Sequence, residues 1–514
     1  MRTLATGLLL CALLPAPAGA QGADRNYQQH CAACHGADRL GGIGPALLPG
    51  NLARLRKNKA VRVIGEGRVA TQMAGFADKL AAPEIAALAD YIYAEPAAPP
   101  RWSEADIRAS RIEHFRAASL PARPQFKADP LNLFVVVETG DHHVTVLDGD
   151  RFEPIHRFAS RYALHGGPQF TPDGRYVFFA SRDGWISKFD LYNLKTVAEI
   201  RAGINTRNVA VSGDGKYVMV ANYLPHTLVL LDADLKLMKI IEARDRDGRA
   251  TSRVSAVYDA SPRKSFIAAL KDIPEVWEIS YDDKAEPIAA GLIHDYQYKE
   301  GAFIPGQFNP RRSIVADYLD DFFFTPDYSE LMATSRDGGK GQVVNLDVRR
   351  KIASVDVSGM PHLASGITWN YRGRTVMATP NLKQGLVSVV DVKSWQVVKE
   401  IATNGPGFFL RSHENTPYAW GDAFMSAKKD TLQIIDKRSL EVVGSVTPAP
   451  GKTAAHVEFT RDGRFALVSV WEMDGALVVY DAATLKEVRR LPMKRPVGKY
   501  NVYNKVTRSE GTSH

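Results

Sequence analysis

Cysteine is scarce in this chain, whose 514 residues include only Cys11, Cys31 and Cys34. So few thiols exclude a disulfide-stabilised scaffold and a zinc site built from four cysteines. Long apolar runs are also missing, because none beyond the N-terminus reaches the ~18 residues needed to span a bilayer. The formal net charge is +8, but Lys and Arg form no basic stripe with interleaved aromatic residues. Neither a membrane span nor a nucleic-acid partner is therefore expected, and the basic balance favours anionic ligands or acidic redox partners.

The N-terminal stretch MRTLATGLLLCALLPAPAGA has the pattern of a secretory signal. Arg2 precedes a short apolar core, and the small residues at 18–20 supply a cleavage site. We expect this signal peptide, residues 1–20, to direct the protein to the periplasm and to remove Cys11 from the mature chain. A lipidated Cys11 is the alternative, which is disfavoured because LLLC lacks the small residues expected before such a cysteine.

The two remaining cysteines lie in 31-CAACH-35, a motif with a specific chemistry. Its spacing lets Cys31 and Cys34 add to the vinyl groups of a porphyrin while His35 ligates the iron. A zinc site would need two further Cys or His ligands at short spacing, and a thioredoxin-like CxxC lies in a βαβ pattern without the trailing histidine. Neither context is present, so the motif predicts one covalent haem c.

Residues 22–94 are predicted to form a small helical cytochrome c domain around this haem. The segment 84-EIAALADYIY-93 carries apolar residues at helical spacing, which predicts the C-terminal helix of the domain. Met73 is the best candidate for the second axial ligand, because a thioether opposite histidine raises the potential of haem iron. An ordinary core methionine is the alternative, and His114 is disfavoured because it lies beyond the domain.

The pattern changes after this domain. Residues 95–130 have prolines at both ends and a polar, helix-like middle, which indicates a linker or strap between domains. From residue 131 onward, short alternating strands follow one another. Clear repeats begin near residues 171, 212, 370 and 460, and each contains a glycine turn, an alternating strand, a second strand ending in Asp, and a third strand.

Diverged copies of the same unit begin near Leu133, Ser261, Thr325 and His413. Eight units at a period of about forty residues predict an eight-bladed β-propeller over residues 131–506, followed by a tail at 507–514. The longer segment 282–312 is expected to add a strand and a loop. The predicted fold is therefore mainly β with a small α domain, and a ring of eight blades is wide enough to hold a macrocycle.

The repeat register predicts which side chains meet in the centre of the ring. In a propeller the innermost strand of each blade precedes the glycine turn, so residues a few places before each turn gather at one mouth of the channel. Counting back from the turns gives His165, Arg207, Asp320, His362 and His456. Any one histidine is more often an ordinary hydrogen-bonded residue, but their convergence from different blades favours a functional cluster.

Basic side chains near the same mouth are candidates for binding carboxylates. Arg161, Arg207 and Lys271 would do so through charge-assisted hydrogen bonds, although each is more often a solvated charge. Tyr500, in the terminal strand, is a candidate for orienting a ligand, with a packed aromatic residue as the alternative. The other propeller histidines in turns and loops are expected to be structural, namely His142, His143, His156, His226 and His294, with His413 intermediate.

With these features the chain resembles the cytochrome cd1 family, in which a cytochrome c domain precedes an eight-bladed propeller that holds haem d1. The resemblance spans nearly the whole mature chain and is carried by CAACH, by 161-RYALHGGPQFTPDGRYVFFASRDGWISKFDL-191, by 201-RAGINTRNVAVS-212 and by 496-PVGKYNVYNKV-506. It implies that His165 ligates the iron of haem d1, and that Arg161 and Arg207 meet the carboxylates of the macrocycle.

One departure from the family pattern bears on the function. Nitrite reductases of the family place two distal histidines above haem d1; the second corresponds to His362, but the first falls at Asp320. A carboxylate there repels an anionic substrate and donates protons poorly at neutral pH, so nitrite reduction is disfavoured.

The resemblance instead implies the family's cofactor-forming activity, which oxidises a propionate of dihydro-haem d1 to the acrylate of haem d1. His362 or His456 is then expected to remove a proton, as an imidazole titrating near neutrality, and Tyr500 to orient the propionate. Electrons would pass to haem c and on to a periplasmic acceptor. Nitrite reductase or other haem d1 assembly proteins are possible partners. A nitrite reductase with an altered distal site and a non-catalytic haem d1 carrier are the alternatives.

Overall fold

The computed structural model describes residues 18–42, 44–53, 55–68, 73–295, 300–335 and 340–508. The predicted signal peptide falls largely on residues 1–17, and the end of the predicted tail on residues 509–514, both outside the described residues. The chain divides into two compact units between Pro99 and Pro100. Within the described ranges, no helix combines the length and the apolar character that crossing a membrane requires.

The first unit is helical. Its described helices are α1 (Ala18–His30), α2 (Ala32–His35), α3 (Pro49–Leu52), α4 (Lys57–Glu66) and α5 (Ala82–Tyr93). Helix α5 buries Ile85, Leu88 and Ile92, whose spacing places them on one face. At its start the Glu84 carboxylate accepts the backbone N–H of Ala81 at 2.8 Å, which satisfies a donor that the helix itself cannot.

Residues 100–130, the larger part of the predicted linker or strap at 95–130, belong to the second unit and pack on its strands. They contain α6 (Glu104–Ala109) and β1 (Ile112–Glu113). Trp102 Nε1 donates to the carbonyl of Arg201 at 2.9 Å, and Ile107 is buried in an apolar cluster with Ile200. These contacts hold the segment against the strands of the propeller.

The second unit is built from four-stranded antiparallel blades. Its first strands are β2 (Leu133–Glu138), β3 (His143–Asp148), β4 (Glu153–Ala159), β5 (Gln169–Phe170), β6 (Tyr176–Ala180), β7 (Trp185–Asp190), β8 (Lys195–Arg201), β9 (Asn205–Val211), β10 (Tyr217–Leu224), β11 (Thr227–Asp232) and β12 (Leu237–Glu242). The next are β13 (Val254–Ala260), β14 (Ser265–Leu270), β15 (Glu275–Ser280), β16 (Ile288–Asp295), β17 (Glu300–Ile304) and β18 (Pro310–Ile314). The blade of β5–β8 also takes in β1 at its outer edge.

The remaining blades follow the same pattern. Their strands are β19 (Leu319–Phe324), β20 (Glu330–Ser335), β21 (Gly341–Asn345), β22 (Arg350–Val355), β23 (Ile367–Tyr371), β24 (Arg374–Pro380), β25 (Leu386–Asp391), β26 (Val397–Ala402), β27 (Leu410–Arg411), β28 (Tyr418–Asp422), β29 (Leu432–Asp436), β30 (Glu441–Val446), β31 (Ala454–Phe459), β32 (Phe465–Val470), β33 (Gly475–Asp481), β34 (Glu487–Met493) and β35 (Pro496–Asn501), before helix α7 (Val502–Thr507). The eight sheets confirm the predicted eight-bladed propeller.

The segment 282–312 differs from the prediction of one extra strand and a loop. Strands β16 and β17 pair with each other as a separate hairpin, and β18 returns to become the fourth strand of the blade that begins at β13. The prediction was wrong in this detail. It relied on the turn pattern that the blades repeat, and neither hairpin strand carries that pattern.

The last strand closes the ring. Strand β35 pairs with β2, so the first blade takes its innermost strand from the C-terminus of the chain. Asn501 Nδ2 donates to Asn132 Oδ1 at 3.0 Å, and Asn501 Oδ1 accepts the N–H of Asn504 and so caps α7. The innermost strands β5, β9, β13, β19, β23, β27, β31 and β35 thus surround the centre, where the candidate site lies.

Candidate functional site

The CAACH motif spans the junction between α1 and α2. The Cys31 N–H donates to the Tyr27 carbonyl at 2.8 Å, and the His35 N–H donates to the Cys31 carbonyl at 2.9 Å, so both cysteines and the histidine share one short helical stretch. Both thiols are free; Cys31 is half-buried and Cys34 is exposed.

The orientation of His35 fits an iron ligand. Its Nδ1 lies 2.8 Å from the carbonyl of Pro45; since a carbonyl only accepts, Nδ1 carries the proton and Nε2 keeps its lone pair. Burial lowers the pKa of His35, which favours the neutral ring. A Cβ at Gly44 would lie 2.7 Å from the ring carbon Cε1, so this glycine lets the chain pass close to the imidazole. Two free thiols and an oriented imidazole fit a covalent haem.

Met73 is described through its backbone contact with Arg68. Its carbonyl accepts the N–H of Arg68 at 2.9 Å, and Gly67 adopts a φ of 78° that favours glycine. Residues 69–72 lie outside the described residues, and the role of Met73 as axial ligand stays a prediction.

In the propeller, His165 is held just before β5 by its neighbours. Its backbone N–H donates to the Ala180 carbonyl at 2.9 Å, and its Nδ1 lies 2.9 Å from the Arg207 carbonyl, which places the proton on Nδ1. The other ring nitrogen, Nε2, lies 2.8 Å from Arg182 Nη2. His165 therefore presents an unprotonated Nε2, the tautomer that an iron ligand needs.

Arg207, on β9, stands behind His165. Its Nη1 is 3.2 Å from His165 Nδ1, its Nε donates to the Ser255 carbonyl at 2.9 Å, and its Nη2 lies 3.5 Å from Asp321 Oδ2. Burial is the largest single effect and lowers the pKa of Arg207, but Asp321, Asp320 and two neighbouring tyrosines together outweigh it, so the pKa is raised. The guanidinium is thus held by the Ser255 carbonyl and Asp321, while the Arg207 carbonyl accepts the Nδ1 proton of His165 and positions that ring.

Asp321 is itself buried and accepts a hydrogen bond from a tyrosine. Tyr258 Oη donates to Asp321 Oδ1 at 3.0 Å. Burial raises the pKa of Asp321, and Arg207 opposes that shift. Neither Tyr258 nor Asp321 was predicted from the sequence, although both lie on innermost strands, as Arg207 does.

Two predicted carboxylate ligands are paired within the protein. Arg161 donates to both carboxylate oxygens of Glu199 at 2.8 and 2.7 Å, and its guanidinium stacks on Trp185 at 3.8 Å from the ring centroid. Lys271 forms an ion pair with Asp320. These contacts give no support to the predicted carboxylate-binding roles of Arg161 and Lys271, because both cations are already neutralised by acidic residues of neighbouring strands.

His362 lies in the loop that precedes β23. Its Nδ1 is 2.7 Å from the Phe408 carbonyl, so Nδ1 carries the proton and Nε2 is the basic atom. The ring packs on Phe408 with centroids 4.1 Å apart. Burial lowers the pKa of His362 to about 4, helped by the positive charges of Arg207 and Arg411. The expectation that this imidazole titrates near neutrality is therefore wrong for the protein without ligand.

His456 and Tyr500 lie side by side on the adjacent innermost strands β31 and β35. Their ring centroids are 5.1 Å apart, and Phe409 lies 4.8 Å from His456 on the other side. His456 occupies a bulge in β31 with a φ of 56° and is buried. Burial lowers its pKa well below the usual range, and burial raises the pKa of Tyr500 to about 12.

Phe409 connects these two histidines. It contacts His456, and its centroid is also 6.4 Å from that of His362. The structure thus brings together His362, His456 and Tyr500, whereas Arg161 faces Glu199 and Lys271 faces Asp320.

Sequence reasoning missed a group of buried cations beside His456 and Tyr500. Arg411, on β27, is 3% exposed; its Nε has no hydrogen-bond partner in the described structure, and no described carboxylate forms a salt bridge with it. Burial lowers the pKa of Lys505 to about 7 and that of Lys499 well below its usual range. Glu458 opposes the lowering of the pKa at all three cations, and Asp422 also opposes it at Lys499. The innermost-strand register could have identified Arg411 and Lys499.

Comparison with known proteins places these features in a family. Residues 128–505 match the family described as "Cytochrome D1 heme domain", and residues 18–92 match "Cytochrome C oxidase, cbb3-type, subunit III". The chain is 58% identical to "Dihydro-heme d1 dehydrogenase" of Pseudomonas aeruginosa over 99% of each chain. It is 25% identical to "Nitrite reductase" of Stutzerimonas stutzeri over 93% of this chain and 91% of the relative.

A solved structure has the same fold. "Dihydro-heme d1 dehydrogenase NirN in complex with DHE" superposes with a TM-score of 0.89 at 57% identity, covering 94% of this chain and all of the other. The resemblance inferred from the sequence is confirmed by these matches. Because the match to the cytochrome d1 haem domain covers most of this chain, the chain belongs to that family.

Proposed function

We propose that this protein is a dihydro-haem d1 dehydrogenase. In the reaction, the –CH₂–CH₂–COO⁻ side chain of the substrate becomes –CH=CH–COO⁻, with release of two protons and two electrons. The observation that carries the proposal is the cluster of His362, His456, Tyr500 and the buried cation Arg411 within a cytochrome d1 propeller. The identity of 58% to a dehydrogenase of that name supports the same assignment.

Substrate binding uses two kinds of contact. His165 Nε2 ligates the iron of the substrate, since the Arg207 carbonyl holds the imidazole proton on the opposite nitrogen. Arg411 binds a carboxylate of the macrocycle. Its guanidinium is buried and forms no salt bridge with a described carboxylate, so a bound anion compensates a charge that the protein leaves uncompensated. Iron and carboxylate together fix the reacting side chain relative to the histidines.

Proton removal falls to His362 or His456. The Nε2 atom of His362 is the basic nitrogen, because Nδ1 is held by the Phe408 carbonyl. In the protein without ligand the pKa of His362 is about 4, which makes it a weak base. A bound carboxylate adds negative charge and raises that pKa, so the substrate itself strengthens the base. Tyr500, beside His456, orients the propionate or assists the second proton step.

Electrons leave through the first unit. Cys31, Cys34 and His35 would hold haem c, with Met73 as the proposed second ligand. This group supplies a one-electron acceptor when it is bound. A periplasmic acceptor is the onward partner, and the periplasm is the proposed location of the protein.

Nitrite reduction is disfavoured by Asp320. By the resemblance this residue occupies the position of a distal histidine in the reductases, and it forms an ion pair with Lys271. No observation on the described residues favours the carrier alternative over the dehydrogenase, since a carrier has no need of oriented bases.

The test is direct. Purified protein with covalent haem c is incubated with dihydro-haem d1 and an electron acceptor, and the macrocycle is analysed by mass spectrometry. Loss of two hydrogens is the expected result. Binding without any mass change would favour the carrier, and steady consumption of nitrite by protein reconstituted with haem d1 would favour the reductase.

A further inference from the structure

Asp422, on β28, is a buried carboxylate that binds backbone N–H groups. Its Oδ1 accepts the N–H of Phe408 at 2.8 Å and that of Phe424 at 3.2 Å, and its Oδ2 accepts the N–H of Phe409 at 2.9 Å. The backbone of His456 also hydrogen-bonds to this carboxylate. Burial raises the pKa of Asp422 to about 6, against the opposing effect of these donors. The group is therefore mostly ionised at neutral pH, and its hydrogen bonds are charge-assisted.

One of these hydrogen bonds reaches His362 through a single peptide unit. The Phe408 carbonyl accepts the Nδ1 proton of His362 at 2.7 Å, and the Phe409 N–H at the other side of the same peptide binds Asp422. Because a peptide unit is planar, fixing its N–H also fixes the direction of its carbonyl. The Asp422 N–H donates back to the Phe409 carbonyl at 3.3 Å. Asp422 thus holds the group that selects the tautomer of His362.

The same carboxylate holds the bulge that carries His456. In the pairing of β31 with β32, His456 is passed over between Ala455 and Val457, so its backbone is outside the ladder. Its φ of 56° lies in the left-handed region, which a residue with a side chain keeps only when its surroundings hold it there. Asp422 binds the backbone N–H of His456, and Lys499 donates to its carbonyl. Two buried charged side chains therefore hold this bulge.

We propose that Asp422 is the positioning residue that sets the two candidate bases relative to each other. One carboxylate fixes both the peptide that orients His362 and the bulge that carries His456. This inference rests on the proposed function, because it concerns where the reacting side chain meets its bases. Asp422 acts through the backbone of the bases and not through the iron ligand His165, so its loss should slow proton removal more than it weakens binding.

Asp422→Asn is the test, since it keeps the shape of the side chain and removes one acceptor. An amide has one acceptor oxygen, and its NH₂ group cannot accept a backbone N–H. We expect the oxygen to stay with Phe408 and Phe424, which share Oδ1, and the NH₂ group to face the N–H of Phe409. The single-turnover rate of dehydrogenation should fall about 10²-fold, because a small misplacement of a base has that effect. The dissociation constant of dihydro-haem d1 should stay within about 3-fold of the wild type.

Asp436→Asn is the matched control in the same blade. Asp436 Oδ1 accepts the N–H groups of Arg438 and Ser439, both at 2.8 Å, in the turn that follows β29. This variant should match the wild type in rate and in affinity. Urea unfolding checks that each variant is folded. If Asp422→Asn does not fold, Asp422→Ser gives the same comparison, because its smaller side chain also leaves the Phe409 N–H without a carboxylate.

Two results would overturn the positioning role. One is a wild-type rate in the Asp422 variant, and the other is a parallel loss of rate and affinity, which indicates a general structural defect. Failure of the proposed function looks different, since the wild-type protein itself would then form no acrylate product. If the wild type and Asp436→Asn converted the substrate and Asp422→Asn did so equally fast, only the positioning role would fall.

Discussion

At the scale of single residues, the centre of the propeller buries three basic side chains beside fewer acidic ones. These side chains are Arg411, Lys499 and Lys505; Glu458 is an acidic neighbour of all three, Asp422 also acts on Lys499, and burial is the largest cause of the lowered pKa at each. Burying an uncompensated charge costs folding free energy, which a bound anion offsets. These buried basic groups lower the free energy of unfolding, and binding of the substrate carboxylates raises it again.

Arg411→Met tests this balance. We expect the variant to bind dihydro-haem d1 at least about 10-fold more weakly, since a hydrogen bond to a charged group contributes about 1.5–3 kcal/mol. Without ligand the same variant should unfold at a higher urea concentration, because methionine removes a buried charge. Binding titration and urea unfolding give the two numbers. Arg438→Met, an exposed arginine of the same blade, should change neither; a loss of stability in Arg411→Met would contradict the account.

His362→Ala tests the proposed base. Dehydrogenation should slow by about 10²–10⁴-fold, the usual contribution of a general base, while the dissociation constant of the substrate stays close to that of the wild type. Single-turnover rates followed by the mass of the product separate the two quantities. The same substitution at His456 distinguishes the two candidates, and the variant with the larger rate loss identifies the principal base.

Acid should destabilise the propeller through the same histidine. The folded pKa of His362 is about 4, whereas an unfolded histidine titrates near about 6.5. Between these values the unfolded chain binds more protons, so the free energy of unfolding falls as pH decreases from 6.5 to 4. This one group contributes up to about 3 kcal/mol to that fall, at about 1.4 kcal/mol per pKa unit.

The measurement uses a favourable distribution of tryptophan. All 7 tryptophans lie between residues 102 and 471, so their fluorescence reports on the second unit alone. Urea unfolding at several pH values should give a flatter dependence for His362→Ala than for the wild type. Some slope will remain, because burial also lowers the pKa of His456. Equal slopes would show that His362 is not buried in its neutral form.

At the scale of elements, the ring depends on β35. This strand comes from the end of the chain and pairs with β2, near its beginning, so closure brings together residues more than three hundred positions apart. Asn501 contributes two contacts there, one to Asn132 and one that caps α7. The same strand carries Tyr500, which links closure of the fold to completion of the site.

Asn501→Ala should therefore weaken closure. Leaving the buried Asn132 side chain with one fewer partner, and α7 without its cap, is expected to cost about 2 kcal/mol or more in the free energy of unfolding. Urea unfolding followed by tryptophan fluorescence measures this cost. Thr484→Ala, which removes a hydroxyl from an exposed turn of the neighbouring blade, should stay within about 0.5 kcal/mol. Equal effects of the two variants would show that closure does not depend on Asn501.

At the scale of the whole molecule, the residues proposed for substrate binding and those proposed for electron removal lie in different units of the chain. The thiols and His35 lie in residues 1–99, whereas His165, His362 and His456 lie in residues 100–514. Each unit has its own apolar clusters, so loss of the haem should leave the propeller folded.

The double variant Cys31→Ser, Cys34→Ser tests this division in the full-length protein. It should lack covalent haem, bind dihydro-haem d1 with unchanged affinity, and yield no acrylate product. Absorbance, titration and mass spectrometry follow the three properties. Product formation at the wild-type rate would show that electrons leave the substrate by another route.

Much of this description followed from the sequence. The CAACH motif is local, so its chemistry was evident without a structure, and the blade count followed from turns and strands repeated along the chain. The repeat register also predicted the innermost positions of Arg207 and His456, because each blade places equivalent residues at equivalent depth.

The tertiary structure alone decided which charges are neutralised. Arg161 and Glu199 are 38 positions apart, and Lys271 and Asp320 are 49 apart, yet each pair is in contact, while Arg411 has no recorded salt bridge to a described residue. The pKa of His362 was equally beyond reach, since it depends on burial and on cations from other blades. Motifs and repeats are set by neighbouring residues in the chain, whereas electrostatic pairing and burial are set by distances that exist only once the ring has closed.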